Sequence, residues 1–160
     1  MATAYINIGS NIGDRIALIE RAVVAIESCL HRNARIAAPI ESEPWGFDSP
    51  NRFINVGIAI EIDEMPPDEL LRRLQDIERN ISSTPHRDAT GAYIDRTIDI
   101  DLIAIDSIIL DSPTLTLPHP RMHLRPFVLL PMLELAPQWS HPILHLTPSM
   151  LLQKLNNPTI

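Results

Sequence analysis

Over the whole of Phe53 to Ile62 the chain alternates, with Ile54, Val56, Ile58, Ile60 and Ile62 on one parity and Phe53, Asn55, Gly57, Ala59 and Glu61 on the other. Side chains along a strand project to opposite faces in turn, so the isoleucine-rich set must be buried against another layer while the mixed set points away from it. That mixed set holds an aromatic, an amide, a glycine and a carboxylate, which is not the content of an ordinary core face. A chain holding this strand has to build a sheet with one strongly apolar side and cover that side with helices or a further sheet.

The rest of the chain offers such a layer. Ala4, Ile6 and Ile8 alternate with Thr3, Tyr5 and Asn7 in an opening strand that ends at Gly9-Ser10-Asn11. From Asp14, a residue suited to an N-cap, the apolar positions Ile16, Ile19, Val23, Ile26 and Leu30 recur at helical spacing and predict a helix to about His31. A weaker strand is expected over Arg35 to Glu41, followed by turn-like residues from Pro44 to Asn51. Pro66-Pro67-Asp68 opens a second helix with a stripe of Leu70, Leu71, Leu74, Ile77 and Ile81. Ser82 to Asp95 reads as a polar loop long enough to suggest a function, and Thr97 to Ile105 as a further strand. Strand, helix, strand, strand, helix, strand predicts an α+β fold with a ferredoxin-like βαββαβ core. Its antiparallel sheet would carry both helices on one face and leave the other free for ligands. The remainder holds nine of the 15 prolines and is expected to be a Pro-rich C-terminal extension with one short helix near Arg125 to Leu135. With no repeat or linker, residues 1–160 read as a single domain.

Charge narrows the partners. Lys and Arg total 13 against 20 Asp and Glu, a formal charge of −7, which argues against bulk electrostatic capture of nucleic acid. Any anion site must therefore be local. The single cysteine, Cys29, excludes an internal disulfide and a multi-cysteine metal cage and favours a reducing compartment. No window approaches the roughly 18 apolar residues of a membrane span, and Met1 to Asn11 lacks the pattern of a secretory signal. The expectation is a cytoplasmic monomer acting on small molecules, with neither nucleic acid nor membrane as partner.

Four groups of residues carry chemistry. In Ile98-Asp99-Ile100-Asp101-Leu102 strand alternation puts both carboxylates on one face with Cα atoms about 6.6 Å apart, close enough to ligate one hard cation or a pair, magnesium by preference. The plain alternative is a solvated strand face. Arg96 precedes Asp99 by three residues and Arg87 lies inside the polar loop, and cations beside paired carboxylates suggest a phosphate ligand. A second basic group, His119-Pro120-Arg121-Met122-His123-Leu124-Arg125, could form a local anion pocket or merely complement a helix end. Pro120 breaks the helical spacing of His119 and His123 and argues against a zinc pair. Trp45 and Phe47, with Phe53 and Asn55 following, suit a flat heterocycle sandwiched by aromatics and read along its edge by an amide, although a loop can equally tuck its aromatics onto the core. Gly9-Ser10-Asn11-Ile12-Gly13 lacks the Walker lysine and the three-glycine fingerprint and reads as an ordinary strand-to-helix turn. His141 and His145 read as structural.

Taken together, these residues resemble the 6-hydroxymethyl-7,8-dihydropterin pyrophosphokinases of folate biosynthesis. The resemblance rests on Ala4-Tyr5-Ile6-Asn7-Ile8-Gly9-Ser10-Asn11, Phe53-Ile54-Asn55, Arg96-Thr97-Ile98-Asp99-Ile100-Asp101 and Leu117-Pro118-His119-Pro120-Arg121-Met122-His123. Arg125, Phe127-Val128-Leu129, Pro131 and Glu134-Leu135-Ala136-Pro137 continue the last block. It implies transfer of the terminal pyrophosphoryl unit of ATP to the pterin hydroxymethyl oxygen, with release of AMP. By the family pattern Asp99 and Asp101 would hold two Mg2+ ions, Arg87 and Arg96 would join them in catalysis, and Glu78, Arg87, Arg96, Leu102, Thr116, His119, Arg121 and Arg125 would line the ATP site. Ser42, Glu43, Pro44, Trp45, Phe53, Asn55, Tyr93 and Phe127 would form the pterin site. The chain departs from the family at Ser82-Ser83, where Gly-Arg is frequent, leaving Arg87 as the candidate to replace a loop arginine. It departs again at Tyr93-Ile94-Asp95, where many members have Trp-Gly-Pro. Gly9 to Asp14, Pro44 to Asn51 and Ser82 to Asp95 are the lid candidates, the last expected to be the most mobile. A binding module of the same fold that holds nucleotide or pterin without turnover remains the alternative, as does a fold that has lost activity through the altered loop.

Overall fold

The computed structural model describes residues 1–44, 49–82 and 97–157. In chain order its elements are β1 (Ala2–Ser10), α1 (Arg15–Leu30), β2 (Arg35–Ile36), β3 (Ile40–Ser42), β4 (Phe53–Ile62), α2 (Pro67–Ile81), β5 (Asp99–Ile105), β6 (Leu110–Asp111), β7 (Thr116–Leu117), α3 (Pro126–Leu135) and α4 (Pro148–Asn156). The two alternating segments are the centre of the sheet, where β1 and β4 pair antiparallel from Ala2 opposite Ile62 to Ser10 opposite Ile54. The strand order is β2-β4-β1-β5, with β3 also on β4, and the described pairings are all antiparallel. β6 and β7 form a separate ribbon.

One face of the sheet follows its sequence pattern closely. Ala4, Ile6, Ile8, Val56, Ile58, Ile60 and Ile62 pack against Ile19, Val23, Ile26, Leu70, Leu74 and Ile77 from α1 and α2. Removing this apolar surface from water is the main stabilising term of such a layer, and a fully buried Leu or Ile contributes about 1.5–3 kcal/mol of it. Asp14 caps α1 as its position suggests, its carboxylate accepting from the Ala17 N–H at 3.2 Å. Ile16 does not join the core, being 44% exposed at the start of α1.

Three expectations are corrected. The strand over Arg35 to Glu41 is broken into β2 and β3, because Pro39 has no N–H to give to β4. Ala37 still donates to the Gly57 carbonyl at 2.9 Å, while the Ala38 N–H is taken by the Glu134 carboxylate at 3.0 Å. The far face of the sheet is not free for ligands along its length, since Tyr5, Ala59, Ile103 and Ala104 are covered by Met122, Val128, Leu129, Met132 and Leu151. A register shift in β5 opposite Tyr5 and Ile6 sends Ile103 and Ala104 to this second cluster and returns Ile105 to the first. Third, the proline-rich tail carries two α-helices rather than one, preceded by a 3-10 turn at Met122–Leu124. Pro126 and Pro148 sit in the first turns of α3 and α4, where the missing N–H costs nothing, and Thr147 caps α4 by accepting from the Met150 N–H. Leu151 thereby reaches the core, at 2% exposure.

Gly57 sets how closely α3 approaches. A Cβ built on it would lie 2.3 Å from Pro131 Cβ, so the helix seats on bare backbone. Among the described residues no helix is long and apolar enough to cross a membrane.

Candidate active site

The chemistry-bearing residues collect on the face of the sheet that carries α3, from the seat of Pro131 at Gly57 to Gly9 and Asp99. Gly9, on the central strand, is opposite Asn55 on one side and Asp99 on the other, and Asn7 is opposite Gly57 and Asp101. Strand alternation sends all of these to the same face. Space over Gly9 is tight. A Cβ on it would meet Asn55 Oδ1 at 3.2 Å and Phe53 Cδ1 at 3.3 Å, so both side chains lie directly over its bare backbone.

On the β5 side a cleft of about 390 Å³ opens, lined by Leu71, Gln75, Glu78, Asp99, Asp101, Leu102, Thr116 and His119 among others. Glu78 accepts from the Ile100 N–H at 2.7 Å. His119 donates its backbone N–H to the Ile103 carbonyl at 2.7 Å, and its Nδ1 accepts from the Arg121 N–H at 3.1 Å. Burial, then the charges of Arg125 and Arg121, lower its pKa to about 4. A neutral ring whose Nδ1 is an acceptor carries its proton on Nε2, which makes His119 a hydrogen-bond donor to a ligand rather than a cation. Arg125 places Nη1 3.9 Å from Asp101 Oδ2 with its own side chain 12% exposed, and its guanidinium lies 5.8 Å from the centre of the Phe127 ring. Arg121 is exposed at the rim.

On the β4 side Asn55 is buried, and its Nδ2 donates to the Ile40 carbonyl at 3.2 Å and to Ser42 Oγ at 2.7 Å. The sequence leads one to expect an amide offering a ligand both a donor and an acceptor. With its donors engaged by β3, it presents Oδ1. Phe53 is buried beside Gly9. Glu43 is exposed and pairs with Arg52 at 3.4 Å, and Pro44 is half-buried. The Asn11 side chain donates to the Asn51 carbonyl at 3.3 Å, which ties one lid candidate to the end of another. Trp45, Arg87, Tyr93 and Arg96 lie outside the described residues.

The chain matches the model of the family 7,8-dihydro-6-hydroxymethylpterin-pyrophosphokinase (HPPK) over residues 5–137. It belongs to this family. The 2-amino-4-hydroxy-6-hydroxymethyldihydropteridine pyrophosphokinase of Porphyromonas gingivalis is 40% identical over 144 residues, covering 89% of this chain and 95% of that protein. The protein of the same name from Aquifex aeolicus is 33% identical over 143 residues, covering 89% and 86%. Among solved structures, an HPPK-DHPS in complex with substrates superposes with a TM-score of 0.69 at 11% identity, which shows the shared fold. The HPPK chain spans 45% of that longer chain.

Two parts of this HPPK cleft were missed in the sequence. Leu71 and Gln75 line it two turns and one turn before the expected Glu78, at four- and three-residue spacing, so the outer stripe of α2 carried a readable helical signal. The turn from Ser112 to Leu115 carried none, since its place depends on Thr114 Oγ1 donating to Asp68 at 2.9 Å, a contact across 46 residues.

Proposed function

We propose that this chain transfers the pyrophosphoryl group of ATP to the hydroxymethyl oxygen of 6-hydroxymethyl-7,8-dihydropterin, releasing AMP. The observation that carries the reading is the bare floor at Gly9, with the Asp99 carboxylate on one neighbouring strand and the Asn55 amide on the other.

Magnesium fits the donors present. Among the described residues no group of three or more His, Cys, Asp or Glu could form a protein cage, whereas two carboxylates on one strand face are the set with which Mg2+ keeps positions for substrate phosphates. Asp99 and Asp101 would hold it, two ions being the finer proposal. When bound, it supplies charge withdrawal from the phosphate oxygens and alignment for in-line displacement. The pterin hydroxyl oxygen attacks the β-phosphorus, the bond from that phosphorus to the oxygen bridging to the α-phosphate breaks, and the hydroxyl proton leaves to one of the two carboxylates. Asn55 Oδ1 accepts from the pterin edge, Phe53 and Phe127 flank the ring, and the neutral His119 donates to the nucleotide. Arg125 offsets the charge gathered at Asp101 and the phosphates, and Arg121 meets them from the rim. Leu102, Thr116 and Glu78 line the nucleotide cleft. Ser42 sets the Asn55 amide, and Glu43 and Pro44 precede Trp45 in the chain. Arg87, Arg96, Trp45 and Tyr93 complete the proposed set.

The strand order supports the finer fold reading, a ferredoxin-like core. The proposal takes residues 1–160 as one catalytic domain working as a monomer on small substrates in the cytoplasm. AMP formation from ATP and Mg2+, with and without the pterin, tests the reaction. We expect pterin-dependent AMP that vanishes in Asp99→Ala. Pterin binding without AMP would sink it.

A further inference from the structure

A helix holds the edge of β5 at Ile100. Among the described residues β5 is the outermost strand on its side of the sheet, and an outer strand has a row of backbone groups with no ladder partner. Ile100, the residue between Asp99 and Asp101, pairs opposite Ile8 and gives its N–H to Glu78 Oε2 at 2.7 Å. Glu78 comes from the last turn of α2, a helix seated in the core through Leu70, Leu74 and Ile77. The carboxylate therefore links a rigid element to the one stretch of edge strand whose pitch decides where two acidic side chains point.

Resting on the reading of Asp99 and Asp101 as the Mg2+-holding pair, we infer that Glu78 is a positioning residue. Its carboxylate replaces the missing neighbour strand at Ile100 and sets the orientation of the flanking aspartates. A hydrogen bond to an ionised acceptor is roughly twice as strong as a neutral one, so a single contact suffices to resist fraying at that residue. Mg2+ demands near-ideal octahedral geometry, which makes the angle between two carboxylates on adjacent same-face positions costly to leave loose. The bond also directs Glu78's negative charge at a backbone N–H in a cleft that is proposed to take a polyphosphate.

The test compares Glu78→Ala with Glu78→Gln, which keeps an acceptor oxygen without the charge. Three readouts are taken: amide exchange at Ile100 in the free protein, Mn2+ affinity in the presence of a non-hydrolysable ATP analogue, and AMP formation across a Mg2+ titration. We expect Glu78→Ala to speed Ile100 exchange at least about tenfold and to weaken Mn2+ by about tenfold, the scale seen when a supporting hydrogen bond behind a metal ligand is lost. Its lost turnover should be recovered by excess Mg2+, and Glu78→Gln should regain most of the Mn2+ affinity. Unchanged Mn2+ affinity with weakened binding of the ATP analogue in Glu78→Ala would overturn the inference, as would equal deficits in the two variants. If the unmodified protein forms no AMP at all, the proposed reaction fails, while exchange and Mn2+ affinity still decide the role of Glu78.

Discussion

Asn7 is 5% exposed on the central strand, and its Oδ1 has no hydrogen-bond partner among the described residues. A buried carbonyl left unpaired costs about 1–3 kcal/mol, so Asn7→Ala should not show the loss expected of a buried, bonded asparagine. Urea unfolding is expected to give unchanged stability or a gain of up to about 1 kcal/mol, and a loss above that size would mean that Asn7 is bonded in solution. Asp101→Ala is expected to cut turnover by about a thousandfold or more, a scale typical of losing a main electrostatic stabiliser. Pterin affinity should stay within a few-fold, as read by fluorescence titration, because Asn55 is held by β3 and not by β5. His119 carries a pH prediction. Its folded pKa is about 4, below the ordinary 6.5. Between those values the unfolded chain binds the extra proton, so the histidine's contribution to stability is full above pH 6.5 and is lost as pH falls toward 4. The difference in stability between the unmodified protein and His119→Asn should narrow over that window, and a constant difference would count against a neutral, buried ring. These side chains were legible in the sequence as chemical types. The partners that decide what each can offer were not, because Asn55 spends its donors on Ile40 and Ser42, neither of which sequence spacing ties to it.

Periodicity read the long elements well. β1, β4, α1 and α2 each bury one face against a matching face, so local pattern and tertiary demand agree. It failed where a single proline changes the outcome. Pro39 breaks the strand into β2 and β3, leaving the Ala38 N–H to Glu134, and Pro148, behind the Thr147 cap, starts α4 in a region whose proline content argues against a helix. The seat of α3 on β4 gives an element-scale prediction. Gly57→Ala would thrust a methyl group into Pro131 at 2.3 Å, and overpacking of this kind costs about 1–3 kcal/mol. Because Phe127 lies one helical turn from Pro131, the shift of α3 should also raise KM for the pterin more than KM for ATP. A variant with unchanged stability and pterin KM would show that α3 does not rest on the bare backbone of Gly57.

At the scale of the molecule, the sheet is shared by two apolar clusters, one under α1 and α2 and one under α3 and α4. Strands common to both should make unfolding a single transition. Leu151→Ala removes a side chain that is 2% exposed, at an expected cost of about 2–5 kcal/mol. If the clusters are coupled, tryptophan fluorescence and circular dichroism will shift to the same lower midpoint. Separate midpoints would mean that the C-terminal helices come away first. The two-cluster arrangement was the least legible part of the sequence, since the tail's apolar residues follow no long period. The bare residue at the centre of the site has a further consequence. The acidic strand and the amide-bearing strand are both hydrogen-bonded to the strand that carries Gly9, so the separation of their backbones is two interstrand spacings, about 9.5 Å. That length is a lattice constant of the sheet and belongs to no side chain. Substitutions in the surrounding loops can change how tightly a ligand is held, yet the spacing of these two strands stays the same in any variant whose sheet still forms.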